Sequence, residues 1–407
     1  MPVSDPVTAT LSLSNLETLA VGLLALVAAN AIARAVPLIS RISVPTPVIG
    51  GLLVALAAAL LHWFGDTSIQ FAGDLTNFLL LVFFTTVGLS VKLSALKAGG
   101  RPLVILCVVT VFLLVVQNVV GILMASAVGA HPMYGLLIGS ISFVGGPGTA
   151  AAWAQEAQKM GLMNAPEVAV GAATLAVLVG ALVSGPVTGW IIRRHKLHGP
   201  TGETHASWVA PQAAAPEPAA PIETVMVVLL LIVGAILAGD SANQWARSAG
   251  LVLPGFLTAM LAGAVITNVA DRIGARIDLP PIERGGEIAL QAFLVMYLMS
   301  LKLWTLGAAI GPLMANVAIQ VLVTVIIGVL LLFRWLGRDY DAAVTVGGFL
   351  GFGLSSMPVA MSTMDSVAIR YGPSPKAFLL IALAGSFFVD LANAFIVKAF
   401  LMLPWFR

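Results

Sequence analysis

"SFVGGPGTAAAW" spans residues 142–153 and sets three glycines and a proline between an apolar run and a run of alanines. A soluble phosphate loop, a flexible connector and a broken membrane helix all contain glycines, and the surroundings separate them. Of 407 residues, 59% are hydrophobic and 9% charged, with mean hydropathy +1.02. A soluble domain of this size cannot bury so much apolar surface, so long runs must lie in lipid. The net charge of +2 and the scattered basic residues give no nucleic-acid surface. The one cysteine, Cys107, excludes an intramolecular disulfide and a thiolate cluster, and reads as packing in "VILCVVTVFLL".

Windows of about 20 apolar residues predict spans near 17–35, 47–64, 76–91, 102–128, 165–192, 222–240, 252–270, 287–304, 311–335 and 376–403. The first is expected to serve as the insertion signal, since residues 1–16 form a tail with no basic region ahead of an apolar stretch. Segments 132–153 and 342–363 are apolar but rich in Gly, Ser and Pro, and read as re-entrant. Residues 198–221, Ala- and Pro-rich, read as a flexible cytoplasmic linker between membrane halves 17–197 and 222–407.

The halves echo one another. Pro47 matches Pro254 at an offset of 207, "VGLSVKL" (87–93) resembles "YLMSLKL" (297–303) at 210, and Pro147 matches Pro358 of "GFGLSSMPVAMS" (351–362) at 211. Near-constant offsets at three places predict an internal repeat. Five spans per half make the repeats inverted, with both termini outside. That orientation puts fifteen of the twenty Lys and Arg residues on the cytoplasmic side. The fold class expected is therefore an all-α polytopic membrane protein of two inverted repeats, each carrying a re-entrant hairpin, the plan of a secondary transporter.

The hairpins supply the candidate site. Gly145, Gly146 and Gly148 permit a tight turn and close backbone approach, Pro147 removes a donor, and Thr149 is expected to cap the run from Ala150. Gly351, Gly353, Ser355, Ser356 and Pro358 do the analogous work in the second half. Helix N-termini suit a substrate carboxylate, whereas carbonyls and hydroxyls, with Gly146, Thr149, Ser355 and Ser356 foremost, suit Na+. Asp390 and Asn393 sit three apart on the last span, where Asp390 is a cation ligand or a structural partner and Asn393 is a candidate substrate ligand. Arg370 either attracts an anionic substrate or adds to the inner positive charge. Glu167 suits a helix start or takes a direct part in transport, Gln117 and Asn118 line the path or bond between helices, and Thr85, Thr86 and Ser90 form a polar patch. Lys92 and Lys302 are expected to snorkel, and Trp63, Trp190, Trp304 and Trp335 to anchor at interfaces. The five histidines lack metal-ligand spacing, and no enzyme constellation emerges. "GGPGTAAA" lacks the Lys-Ser/Thr ending of a nucleotide loop.

Seven ordered stretches, "GLSVKLSALKAGG" (88–100), "VVQNVVGI" (115–122), "GGPGTAAAW" (145–153), "YDAAV" (340–344), "GFGLSSMPVA" (351–360), "RYGPS" (370–374) and "FFVDLANAFIVK" (387–398), resemble the bacterial sodium/glutamate symporter family, the GltS type. The resemblance implies Na+-driven import of L-glutamate across the bacterial inner membrane, with no other cofactor. It also implies a homodimer whose hairpin-bearing core moves in an elevator-like way within membrane lipid. The motifs at 145–149 and 351–358 would be its pore loops. Family members commonly carry His at the position of Pro147, and a small residue followed by Ala-Thr at Ser356-Met357. Aspartate, citrate or another hydroxy acid therefore stays open beside glutamate.

Overall fold

A computed structural model describes residues 9–35, 45–65, 67–96, 99–199, 221–248, 253–275, 277–303 and 310–406. Residues 1–8 of the expected tail and 200–220 of the expected linker lie outside them, as do Arg41, Lys97, Arg276, Trp304 and Arg407. Among the described residues the chain is an all-α membrane protein apart from one short ribbon. Strand β1 (Ala9–Ser12) pairs in parallel with β2 (Thr67–Gln70). Four residues per strand leave too short an alternation to be read from sequence.

The first half contains α1 (Asn15–Ala35), α2 (Thr46–Gly65), α3 (Asp74–Leu89), α4 (Gly100–Ala127), α5 (Pro132–Leu136), α6 (Gly146–Lys159) and α7 (Ala165–Arg194). The second contains α8 (Ile222–Ser248), α9 (Gly255–Arg272), α10 (Leu279–Met299), α11 (Ile310–Ile326), α12 (Tyr340–Leu354), α13 (Met357–Tyr371), α14 (Pro375–Leu383) and α15 (Val389–Leu401). Wide π turns extend α5 through Ile141 and α11 through Leu332, and join α14 to α15. Local chemistry sets several starts. Ser14 and Glu17 make a capping box before α1, in which the Ser14 N–H donates to Glu17 Oε2 at 2.8 Å. Asp339 caps α12 by accepting from the Ala342 N–H at 2.7 Å.

Among the described residues, six helices are long and apolar enough to cross a bilayer: those at 15–35, 46–64, 100–127, 165–194, 222–248 and 311–335. Helices also occupy the other four expected spans, with shifted ends. α10 starts at Leu279, eight residues before the expected 287, and ends at Met299. Pro280 and Pro281 fit its first turn, where a missing N–H costs nothing, and Glu283, Arg284 and Glu287 hide that turn from a hydropathy window. Exposed Leu23, Leu24, Val27, Leu230 and Leu237 form faces suited to lipid. Trp63, Trp190 and Trp335 are exposed, as interfacial anchors require.

The helices pack as two bundles. One unites α1, α2 and α3 with α8, α9 and α10; the other unites α4 to α7 with α11 to α15, so each draws on both halves of the sequence. In the first bundle small residues set the spacing: a Cβ on Gly88 would lie 2.0 Å from Met260 O. The Thr85 and Thr86 hydroxyls donate back to Leu81 O and Phe83 O, which makes that patch helix packing. Between the bundles, α6 lies against α10, and its Trp153 stands edge-on to Phe256 of α9 at 5.6 Å.

Candidate functional site

Both expected interruptions are helix breaks in the second bundle. The first hairpin runs from Pro132 to Lys159 and turns at Val144–Gly145; the second runs from Tyr340 to Tyr371 and turns at Ser355–Ser356. Both exceed the expected 132–153 and 342–363, because the outgoing arms continue as helix.

Gly146 opens α6 at φ +67°, a conformation costly for residues with a Cβ. Pro147 follows in the first turn, where its missing N–H is harmless. Thr149 is buried inside that turn, so it does not cap the helix; Gly145 holds the cap position without a side-chain bond. In the second hairpin the helix continues through Gly351 and Gly353, contrary to the expected break there. Gly351 serves packing: a Cβ on it would fall 2.4 Å from Ala360 Cα, on the outgoing arm. The actual break is extended at Ser356 (φ −172°, ψ 167°), and Pro358 sits in the first turn of α13.

The two turns meet. A Cβ on Gly146 would lie 3.1 Å from Ser355 O and 3.5 Å from Ser356 Cβ, and one on Gly180 would lie 3.0 Å from Ser355 Cβ. Gly145, Gly146, Thr149, Ser355 and Ser356 thus gather around one point within the second bundle. Gly148 faces the first bundle instead, where a Cβ would lie 3.1 Å from Leu290 Cδ1.

Polar side chains buried behind the turns hold them. Gln117 Nε2 donates to Gly353 O at 2.8 Å and lies 3.2 Å from Thr324 Oγ1, while Gln320 Nε2 donates to Gln117 O at 2.9 Å. On the first hairpin Gly139 leaves helical geometry (φ −98°, ψ −136°), and Asn118 Oδ1 accepts the freed Ser140 N–H at 3.1 Å. Asn316 Nδ2 donates to Ile138 O at 2.7 Å. These bonds satisfy backbone groups that a break strands in an apolar interior. Gln117 and Asn118 therefore bond between elements, the second of their two expected roles. Gln117 Oε1, Gln320 Oε1 and Asn316 Oδ1 stay buried without a partner, so carbonyl oxygens remain near both breaks.

Asn393, expected as a substrate ligand, is fully buried and serves the same scaffolding instead: Ser140 Oγ donates to its Oδ1 at 2.6 Å, and its Nδ2 donates to Ser140 O at 3.2 Å. Asp390 lies three residues earlier, just past the π turn at 384–388. There Gly385 lets Met357, the first residue of α13, come so close that a Cβ would lie 1.9 Å from its Sδ. Arg370 is not brought to the turns. It sits in the last turn of α13, about 20 Å along the helix from Ser356, exposed and 5.4 Å from the Tyr371 ring centroid. Sequence reasoning missed Gly139, Ser140, Asn316 and Gln320; the polar side chains of Ser140, Asn316 and Gln320 within apolar stretches were the available signal.

The model of the sodium/glutamate symporter family matches residues 11–373. The sodium/glutamate symporter of Escherichia coli strain K12 is 35% identical over 398 residues, covering 97% of this chain and 99% of that protein. The sodium/glutamate symporter of Haemophilus influenzae is 34% identical over 389 residues, covering 95% and 96%. A match of this length, carried through both broken hairpins, makes the chain a member of the sodium/glutamate symporter family.

Proposed function

We propose that this protein is a sodium-coupled symporter that imports L-glutamate across the bacterial inner membrane by elevator-like alternating access. The observation that carries the reading is the meeting of Gly146 with Ser355 and Ser356, two helix starts facing one point inside an apolar chain. Helix-start N–H groups at Gly146 and Gly148 suit the substrate carboxylates, helped by Thr149, Ser355 and Ser356; the Gly145 N–H instead donates to Ser140 O at 3.1 Å, and Gly353 stays inside α12 with its carbonyl held by Gln117. Hydroxyl and carbonyl oxygens of Gly146, Thr149, Ser355 and Ser356, with the carboxylate of Asp390, suit the coupling Na+. Asn393 contributes by holding Ser140, whereas Arg370 acts at the cytoplasmic opening. The protein is a transporter rather than an enzyme, as its family is.

Two inverted repeats, 17–197 and 222–407 with linker 198–221 between them, generate the site. Helices recur in matching order in the two halves, α1 to α7 against α8 to α15, and the second bundle takes one hairpin from each. The arms 132–143 and 146–159 measure about 18 and 21 Å, short of a bilayer core, which supports re-entrant hairpins. The division into a six-helix bundle and a hairpin-bearing bundle supports a moving core on a fixed frame. With both termini outside, the protein is a homodimer in lipid.

Uptake of labelled L-glutamate into vesicles holding the purified protein tests this. Accumulation only under an inward Na+ gradient is expected. Equal uptake without the gradient overturns sodium symport; robust Na+-driven uptake of aspartate or citrate instead changes the substrate and keeps the mechanism.

A further inference from the structure

The bundles are tied by a specific hydrogen bond. Glu167, in the first turn of α7, belongs to the hairpin-bearing bundle, and its Oε1 accepts the backbone N–H of Lys302 at 3.0 Å. Lys302 follows α10 of the other bundle. The carboxylate is buried, its Oε2 has no partner, and the buried Tyr297 hydroxyl on α10 has none either. The bond to Lys302 is therefore specific to how the two bundles are docked here: if they slide, the carboxylate loses its donor.

The matching place in the second half is built differently. "APEVA" (165–169) aligns with "SPKAF" (374–378) at an offset of 209, so Glu167 corresponds to Lys376, and Lys302 corresponds to Lys92 at 210. Pro375 opens α14 as Pro166 opens α7. Lys376 lies 3.9 Å from Asp341, which also accepts from Ser374 Oγ at 2.6 Å. An ammonium cannot accept a hydrogen bond from the Lys92 backbone N–H.

We propose that Glu167 is a one-sided latch, a positioning residue that stabilises one of the two transport states. The inference rests on the inverted-repeat reading, in which the halves exchange conformations between states. The Glu167 to Lys302 bond forms in the state seen here. In the opposite state its counterpart would bring Lys376 toward Lys92, donor against donor, and no bond forms. An interaction present in one state only biases the equilibrium toward that state by its full strength.

Asn77 and Gln158 line opposite walls of a 530 Å³ cleft between the bundles and serve as reporters. Spin labels are placed at N77C and Q158C in a C107S background, and pulsed electron resonance reads their separation in the purified full chain in lipid. Glu167→Ala is expected to lower the ratio of the separation in this structure to the alternative separation about tenfold, the size of one charge-assisted hydrogen bond. Glu167→Gln, which keeps an acceptor oxygen without the charge, is expected to lower that ratio only about threefold. If E167A fails to assemble, Lys376→Gln, which supplies an acceptor on the other side, is expected to raise the alternative population. Two separations in the parent that neither E167A nor K376Q redistributes overturn the latch alone. A single separation in the parent and every variant overturns it together with the two-state reading. Uptake is a separate measurement, so failure to move glutamate is distinguishable from both.

Discussion

The two hairpins reach the same point by different means. The first turns at a glycine whose backbone, at φ +67°, excludes a side chain locally. The second turns at two serines, of which Ser356 is extended, and uses its glycines one turn earlier, where Gly351 lets the arms pack backbone to backbone. Glycine thus has a conformational duty in one hairpin and a steric duty in the other. Substitutions should hurt differently: a wrong residue in the second arm damages folding, and one at the first turn damages the site.

The comparison breaks most visibly at Gly351→Val. Its Cβ would collide with backbone, which a flexible neighbour cannot relieve, so a loss of about 3 kcal/mol in stability is expected. Thermal unfolding of the detergent-solubilised protein measures it, and an unchanged midpoint would remove the steric account. Next is Gln117→Leu, which strands Gly353 O in an apolar interior and should cost about 2 kcal/mol. Gly146→Ala should cost about 1 to 2 kcal/mol through the left-handed backbone, with insertion intact and glutamate uptake reduced about tenfold. Normal uptake by that variant would return the first turn to the status of a packing kink. The smallest effect belongs to Arg370→Ala, since the side chain is exposed and remote from the turns; glutamate KM should change less than about threefold. A tenfold rise would bring Arg370 back to substrate.

Much of the fold was legible because membrane insertion reads composition over about 20 residues, a local sum. The runs at 17–35 and 102–128 needed no partner to be recognised, and both became helices. The end of α10 was misread for the same reason: a charged, proline-led first turn contributes little to that sum. The candidate site was legible as two regions and only partly as residues. Gly146, Ser355 and Ser356 came together, while Gly353 stayed in a helix and Asn393 became a partner of Ser140. Ser140 lies 253 residues from Asn393 in sequence, and no local pattern announces a pair so distant.

By itself, the sequence determined the membrane class, the apolar segments and the two places where helices cannot run on, since lipid cost and backbone sterics act residue by residue. Only the tertiary structure decided which glycine bends and which one packs, and which amide holds which break. It also decided that Glu167 meets Lys302 across two bundles. Those choices are contacts between distant segments, and they follow from how helices stack rather than from what any one helix contains.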